Sequence, residues 1–176
     1  MDMILLRHTK PAAAQGLCYG RTDLAVGPCF AAHAGRIVQE LPQVSRVVTS
    51  PLSRCLALAE FVADARGLGL TIDPRLTEMD FGAWEGRPWA DIPRAELDVW
   101  AADLLHARPH GGESVAALRD RSLAALRDHA GPGVLVVTHH GVIKSARWRV
   151  MGDDAWQSEV KFGGTLPFAP GMFADV

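Results

Sequence analysis

The chain has 176 residues, 48% hydrophobic and 22% charged, the make-up of one globular domain; this excludes a disordered tail, a collagen-like fibre and a disulfide-stapled miniature. Eighteen Lys+Arg stand against 20 Asp+Glu, a formal net charge of -2, so an anion must be held by a local cluster and not by the global field that draws nucleic acid or a membrane surface. The three cysteines, Cys18, Cys29 and Cys55, form no CxxC pair, and the apolar run at residues 3–6 is too short for a secretion signal, so a reduced, cytoplasmic protein is expected.

Residues 3–6 (Met-Ile-Leu-Leu) read as the first strand. A helix over 31–41 follows the Gly27-Pro28 break. The second strand is read at 44–48. Ser50-Pro51 then looks like an N-cap hydroxyl with proline at the first helical position, opening a helix over 51–68 with Leu52, Cys55, Leu56, Ala59, Val62 and Ala63 on one stripe. A third, weaker strand is read at 70–73. Residues 74–112 are rich in Pro, Gly and Trp and read as a lid of loops around one or two short helices. A helix over 113–129 carries Val115, Leu118, Ser122, Ala125 and Leu126 at helical spacing. Gly131-Pro132-Gly133 punctuates the strongest strand, 134–137, and a helix over 141–151 follows it. Alternating strands and helices predict an α/β fold with a largely parallel sheet and helices on both faces.

In such sheets ligands gather at the carboxyl ends of the strands. The first strand runs into Arg7-His8-Thr9-Lys10, the second into Thr49-Ser50-Pro51-Leu52-Ser53-Arg54, and the fourth into Thr138-His139-His140-Gly141. Two of these ends also begin helices, whose free N–H groups favour an anion. The pattern implies an anion pocket holding two histidines, with phosphate as its natural occupant. Turnover of a phosphate ester also needs a nucleophile, for which a neutral histidine serves, and a proton donor. Glu78, Asp80 and Glu85 are the acids on offer, and spacing does not choose among them.

Rival chemistries lack their residues. A cysteine phosphatase needs Cys-x5-Arg, but Leu24, Gly35 and Phe61 stand at the arginine position. There is no Gly-Lys pair for a P-loop. Gly112-Glu113-Ser114 is preceded by no strand for a serine elbow. His8, His139 and His140 lack a carboxylate partner at metal-ligand spacing.

Five segments together resemble the histidine phosphatase superfamily, which includes the cofactor-dependent phosphoglycerate mutases. They are Leu5-Leu6-Arg7-His8-Thr9, then Thr49-Ser50-Pro51-Leu52-Ser53-Arg54-Cys55, and Leu76-x-Glu78 with Phe81-Gly82-x-Trp84-Glu85-Gly86. His110-Gly111-Gly112-Glu113-Ser114 and residues 136–143 around His139 complete the set. The resemblance implies a phosphoglycerate mutase-like three-layer sandwich, with residues 1–176 as a single domain and a lid at about 74–112. It implies that His8 takes the phosphoryl group. Arg7, Arg54 and His139 would surround its equatorial oxygens. Glu78 would protonate the leaving alkoxide and then draw a proton from water. The resemblance, not spacing, selects Glu78 over the other acids and His139 over His140.

His140, Lys10, Arg21 and Thr22 are carried as substrate-contact candidates; Lys10 suits a second acidic group on the substrate, while Arg21 and Thr22 read equally well as turn residues. Trp84, Trp89 and Trp100 read as lid packing, His33, His106, His110 and His129 as surface or turn histidines, and Cys18 and Cys55 as buried hydrophobes. No metal or other cofactor is implied. The partner is a small-molecule phosphate ester, with no nucleic acid and no membrane, and a homodimer stays open.

Cys18-Tyr19-Gly20-Arg21-Thr22-Asp23 after the Arg-His-Thr string is most similar to the alpha-ribazole phosphatase branch, which implies alpha-ribazole 5'-phosphate as substrate. The alternatives are a broad-specificity sugar- or acyl-phosphate phosphatase, a phosphoglycerate mutase, and a phosphate-binding or protein-binding relative without turnover. Thr9 and Lys10 stand where relatives carry Gly-Glu or Gly-Gln, no asparagine occurs at 11–15, and the tail from Phe162 is short. The short tail and lid argue against a mutase, which must keep water from its phosphoenzyme.

Overall fold

The structure, a computed structural model, describes residues 3–12 and 15–169. Strand β1 (Met3–Arg7) leads to helix α1 (Phe30–Glu40), β2 (Arg46–Thr49), α2 (Ser53–Arg66) and β3 (Leu70–Ile72). Three 3-10 turns, Pro74–Leu76, Gly82–Trp84 and Trp89–Asp91, and helix α3 (Arg94–Ala102) fill the region read as a lid. Helix α4 (Val115–Asp128), β4 (Val134–Thr138), α5 (His140–Met151), the 3-10 turn Gly152–Gln157 and β5 (Thr165–Phe168) complete the order. The sheet runs β3-β2-β4-β1-β5. All neighbours are parallel except β5, which lies antiparallel to β1 with Ile4 opposite Pro167.

The side-chain period of two along each strand builds two cores, one on each face of the sheet. Met3, Leu5, Val134 and Val136 pack with Leu118, Leu126, Val142 and Ile143 of α4 and α5. Ile4, Leu6, Leu135 and Val137 pack with Ala34 and Ile37 of α1 and Leu58, Ala59 and Val62 of α2. All five residues of β4 are buried, as its continuous apolar, mostly β-branched run requires in a strand covered on both sides. This is the expected α/β three-layer arrangement.

Three local expectations are corrected. Strand β5 falls in what reads as a tail; Pro167 lacks an N–H for a second neighbour, which suits it only to the sheet edge it occupies. Helix α2 begins at Ser53, not Pro51, because Ser50 is drawn toward His139 and the first turn is instead met by Asp23, whose carboxylate accepts from Ser53 N–H at 2.8 Å and Ser53 Oγ at 2.7 Å. His110 sits in a turn, as one half of its reading has it, but buried and not on the surface: its ring packs on Trp84 at 4.8 Å and Nδ1 accepts from Gly112 N–H at 3.0 Å. The tail beyond residue 169, and two of the positions between 11 and 15, lie outside the described residues.

Candidate active site

The parallel strands β1, β2 and β4 end on the same edge of the sheet, which brings their trailing residues together. His8 N–H donates to the Thr138 carbonyl at 3.0 Å and Ser50 N–H to the Val137 carbonyl at 3.1 Å, so the ladder itself sets His8, Ser50 and His139 side by side. The His8 and His139 rings stand 5.2 Å apart, edge to face. His8 Nδ1 lies 2.7 Å from the Thr9 carbonyl. A carbonyl only accepts, so Nδ1 carries the proton and Nε2 is left with its lone pair. His139 Nε2 lies 2.8 Å from Ser50 Oγ, with Cys55 Sγ 3.4 Å away.

The two arginines are held from behind. Arg7 donates to the Val160 carbonyl at 2.6 Å, and its guanidinium lies 4.0 Å over the Phe162 ring, which also packs on His8. Arg54 is fully buried; its two Nη groups donate to the carbonyls of Thr22 at 2.8 Å and Gly20 at 2.6 Å. Among the described residues the Nε of each is buried without a hydrogen-bond partner, although buried N–H groups are normally bonded.

Crowding of cations in a dry site suppresses their charge. Burial first, then the Arg54 charge, holds His8 at a pKa of about 3. Burial and then His8 put His139 well below the ordinary range, and burial lowers Arg7. Burial and the Arg7 charge likewise hold His140 at about 3.

An unfolded chain protonates its imidazoles near 6.5, whereas native His8 and His140 resist down to about 3. Between those values protons bind the unfolded chain more readily, so stability is full above pH 6.5 and falls as pH drops through the window. The buried His8 alone accounts for on the order of 2 kcal/mol by pH 5. Urea midpoints measured from pH 7 to pH 4 are expected to fall, with a shallower fall in His8→Asn; a flat profile in the wild type contradicts this burial of neutral imidazole.

The three candidate acids separate by their partners. Glu85 accepts from the N–H groups of Gly20, Arg21, Thr22 and Phe81 and from the Thr22 hydroxyl. Burial alone raises its pKa, but these bonds, led by Gly20, outweigh it and hold Glu85 below the usual carboxylate range. Glu85 thus shapes the loop whose Gly20 and Thr22 carbonyls hold Arg54. A side chain at Gly20 would strike the Met79 carbonyl at 1.7 Å, so this loop closes only on glycine. Asp80 caps Gly82 N–H at 2.8 Å.

Glu78 accepts from Gly141 N–H at 3.1 Å, at the start of α5, and from Met79 N–H at 3.0 Å. A Cβ on Gly141 would meet Glu78 Oε1 at 2.3 Å. The helix start read as an anion seat therefore receives the Glu78 carboxylate, as that of α2 receives Asp23. The Glu78 charge acts on Arg7, and its side chain also lines a cleft of about 340 Å³ with Phe81, Trp89, Trp100, His140 and Lys144.

His8, Arg7, Arg54, His139 and Glu78 are thus brought together. His140 lines the cleft and accepts from Val160 N–H at 3.3 Å. Thr22 is spent on Glu85 and Arg54. Arg21 is half exposed, 3.8 Å from Asp80. Lys10 lines a separate cleft with His33, Arg36 and Phe162. Trp84 packs in the lid as expected, while Trp89 and Trp100 also face the cleft. Ser50, which the sequence marks as a helix cap, instead meets His139, and Glu85 has a structural task; both lie inside the motifs quoted above, whereas nothing in the sequence around Phe162 signals its place against Arg7 and His8. No group of three or more His, Cys, Asp or Glu side chains able to hold a metal occurs among the described residues, and no helix among them is long and apolar enough to cross a membrane.

Residues 3–161 match the model of the histidine phosphatase superfamily (branch 1). Among curated relatives, the chain is 33% identical to the adenosylcobalamin/alpha-ribazole phosphatase of Escherichia coli over 93% of this chain and 87% of that one. It is 35% identical to a probable phosphoglycerate mutase of Yersinia enterocolitica over 79% and 69%. Among solved structures, the alpha-ribazole phosphatase of Shigella flexneri superposes with a TM-score of 0.80 at 30% identity, covering 94% and 88%.

Proposed function

The chain belongs to the histidine phosphatase superfamily, and on that premise we propose that it hydrolyses a small-molecule phosphomonoester through a phosphohistidine on His8. The observation that carries this is the convergence of two neutral imidazoles with the fully buried Arg54 and the partly buried Arg7, each with a buried Nε–H that has no partner among the described residues, beside a carboxyl that lines a cleft. The free lone pair of His8 Nε2 attacks phosphorus as the bond from phosphorus to the leaving oxygen breaks. Arg7, Arg54 and His139 take up the charge on the equatorial oxygens. A proton passes from the Glu78 carboxyl to the leaving oxygen. Water then attacks the phosphohistidine, giving its proton back to Glu78, and phosphate departs with His8 neutral again.

Within this reading the chain acts as one domain with 74–112 as its lid, in the cytoplasm, where Cys18, Cys29 and Cys55 stay unpaired. The substrate is alpha-ribazole 5'-phosphate. The support is the likeness to two proteins named for that activity and the cleft beside Glu78, where Phe81, Trp89 and Trp100 offer aromatic surface to a leaving group that carries an aromatic base. Hydrolysis is preferred to mutase chemistry because α3 is the only α-helix between Gly86 and Gly112, a slight cover against water.

A panel of phosphate esters tests the proposal by phosphate release. Release from p-nitrophenyl phosphate is expected, unchanged by EDTA because the two arginines supply the positive charge. Base-bearing ribose 5'-phosphates should outpace glycerol phosphate and the phosphoglycerates. Interconversion of phosphoglycerates without release contradicts the hydrolase, and loss of activity in EDTA contradicts the mechanism.

A further inference from the structure

Arg121 of α4 lies outside every residue assigned a task above, yet all five of its N–H groups are engaged. Nε and Nη2 grip the Glu113 carboxylate at 2.7 and 2.8 Å. Nη1 donates to the carbonyls of Arg75 at 2.7 Å and Thr77 at 2.6 Å, and Nη2 also to that of Glu78 at 3.1 Å. The remaining carbonyl of this run, Leu76, accepts from the buried Thr138 Oγ at 2.9 Å. Four successive carbonyls, 75 to 78, are therefore fastened by two side chains, one of them adjacent to His139. Segments between helices and strands ordinarily meet water with such groups. Fixing them here means the peptide that carries Glu78 cannot slide along α5, where Glu78 must meet Gly141 N–H.

We propose that Arg121, oriented by Glu113, is a positioning residue that sets the reach of the Glu78 carboxyl toward the leaving oxygen. This rests on the proton-donor reading of Glu78. Only a planar fork of five donors serves a carboxylate and three carbonyls at once; an ammonium has three donors and no plane. Glu113 fixes the rotation of the fork through two parallel bonds, so a neutral amide at 113 loosens it without removing the side chain.

The test compares an alkyl phosphate, whose leaving group needs the proton, with p-nitrophenyl phosphate, whose leaving group does not. Arg121→Lys and the milder Glu113→Gln should lower kcat on the alkyl ester by about 30-fold and on the aryl ester by less than about 3-fold, with inhibition by vanadate unchanged. Glu78→Gln is the reference and should show the same selectivity, more strongly. In Glu78→Gln/Arg121→Lys the alkyl loss should not exceed that of Glu78→Gln alone, because both act through one proton. Equal losses on both esters, multiplying losses in the double variant, or no loss in Glu113→Gln and Arg121→Lys while Glu78→Gln remains selective, overturn the positioning role alone. A Glu78→Gln enzyme without selectivity overturns the donor reading, and this inference with it. If Arg121→Lys fails to fold, Glu113→Gln decides.

Discussion

His8→Ala should lower kcat on every phosphomonoester by about 10⁴-fold or more, while its circular dichroism stays native. The size follows from what is lost. Neither water nor a neighbouring side chain is presented as His8 Nε2 is, with the opposite nitrogen fixed on the Thr9 carbonyl and the proton held off by burial and Arg54. Binding should survive, since Arg7, Arg54 and His139 remain and a cation-crowded site still favours an anion. The variant should therefore bind inorganic phosphate or vanadate with wild-type strength or better. Residual turnover above about one per cent of wild type speaks against a histidine nucleophile.

Arg54→Met should cost about 10³-fold in kcat/KM on alkyl and aryl esters alike. Arg54 is wholly buried and stretched between the Gly20 and Thr22 carbonyls, so its guanidinium is aimed before substrate arrives and pays no reorganisation when charge develops. Methionine fills similar space without donors. Unlike Glu78→Gln, this loss does not depend on the leaving group, because the charge it meets is on the phosphoryl oxygens. A loss below about ten-fold, or one confined to alkyl esters, places Arg54 outside the transition-state contacts.

Much of this is legible in the sequence. The four parallel strands announce themselves as short β-branched or apolar runs, and the residues that end them carry the site because a parallel sheet aligns strand ends whatever the loops do. Strand β5 was illegible for the converse reason: it pairs only with β1, is broken by Pro167, follows two glycines, and has one of its four residues buried against all five of β4, so no apolar run marks it. The start of α2 was misread because Ser50-Pro51 fits a local capping rule, while the tertiary pull of His139 on Ser50 and the arrival of Asp23 at Ser53 decide the outcome.

The acids illustrate the same limit. Glu78, Asp80 and Glu85 lie within eight residues, and only the fold shows that Glu85 spends its lone pairs on the 20–22 loop and Asp80 on Gly82, leaving Glu78 at the cleft. Arg121 looks like any surface arginine on an amphipathic helix until its five bonds are seen. Lys10, plausible beside His8 in the chain, lines a different cleft, one that Phe162 also lines while its ring packs on His8.

The phosphoenzyme itself offers the most direct test. Wild-type protein mixed with an aryl phosphate and quenched in alkali during turnover should carry one acid-labile phosphoryl group, mapped by tandem mass spectrometry to His8. A phosphoryl group on Ser50, Cys55 or any other side chain, or none at all while phosphate is being released, contradicts the account.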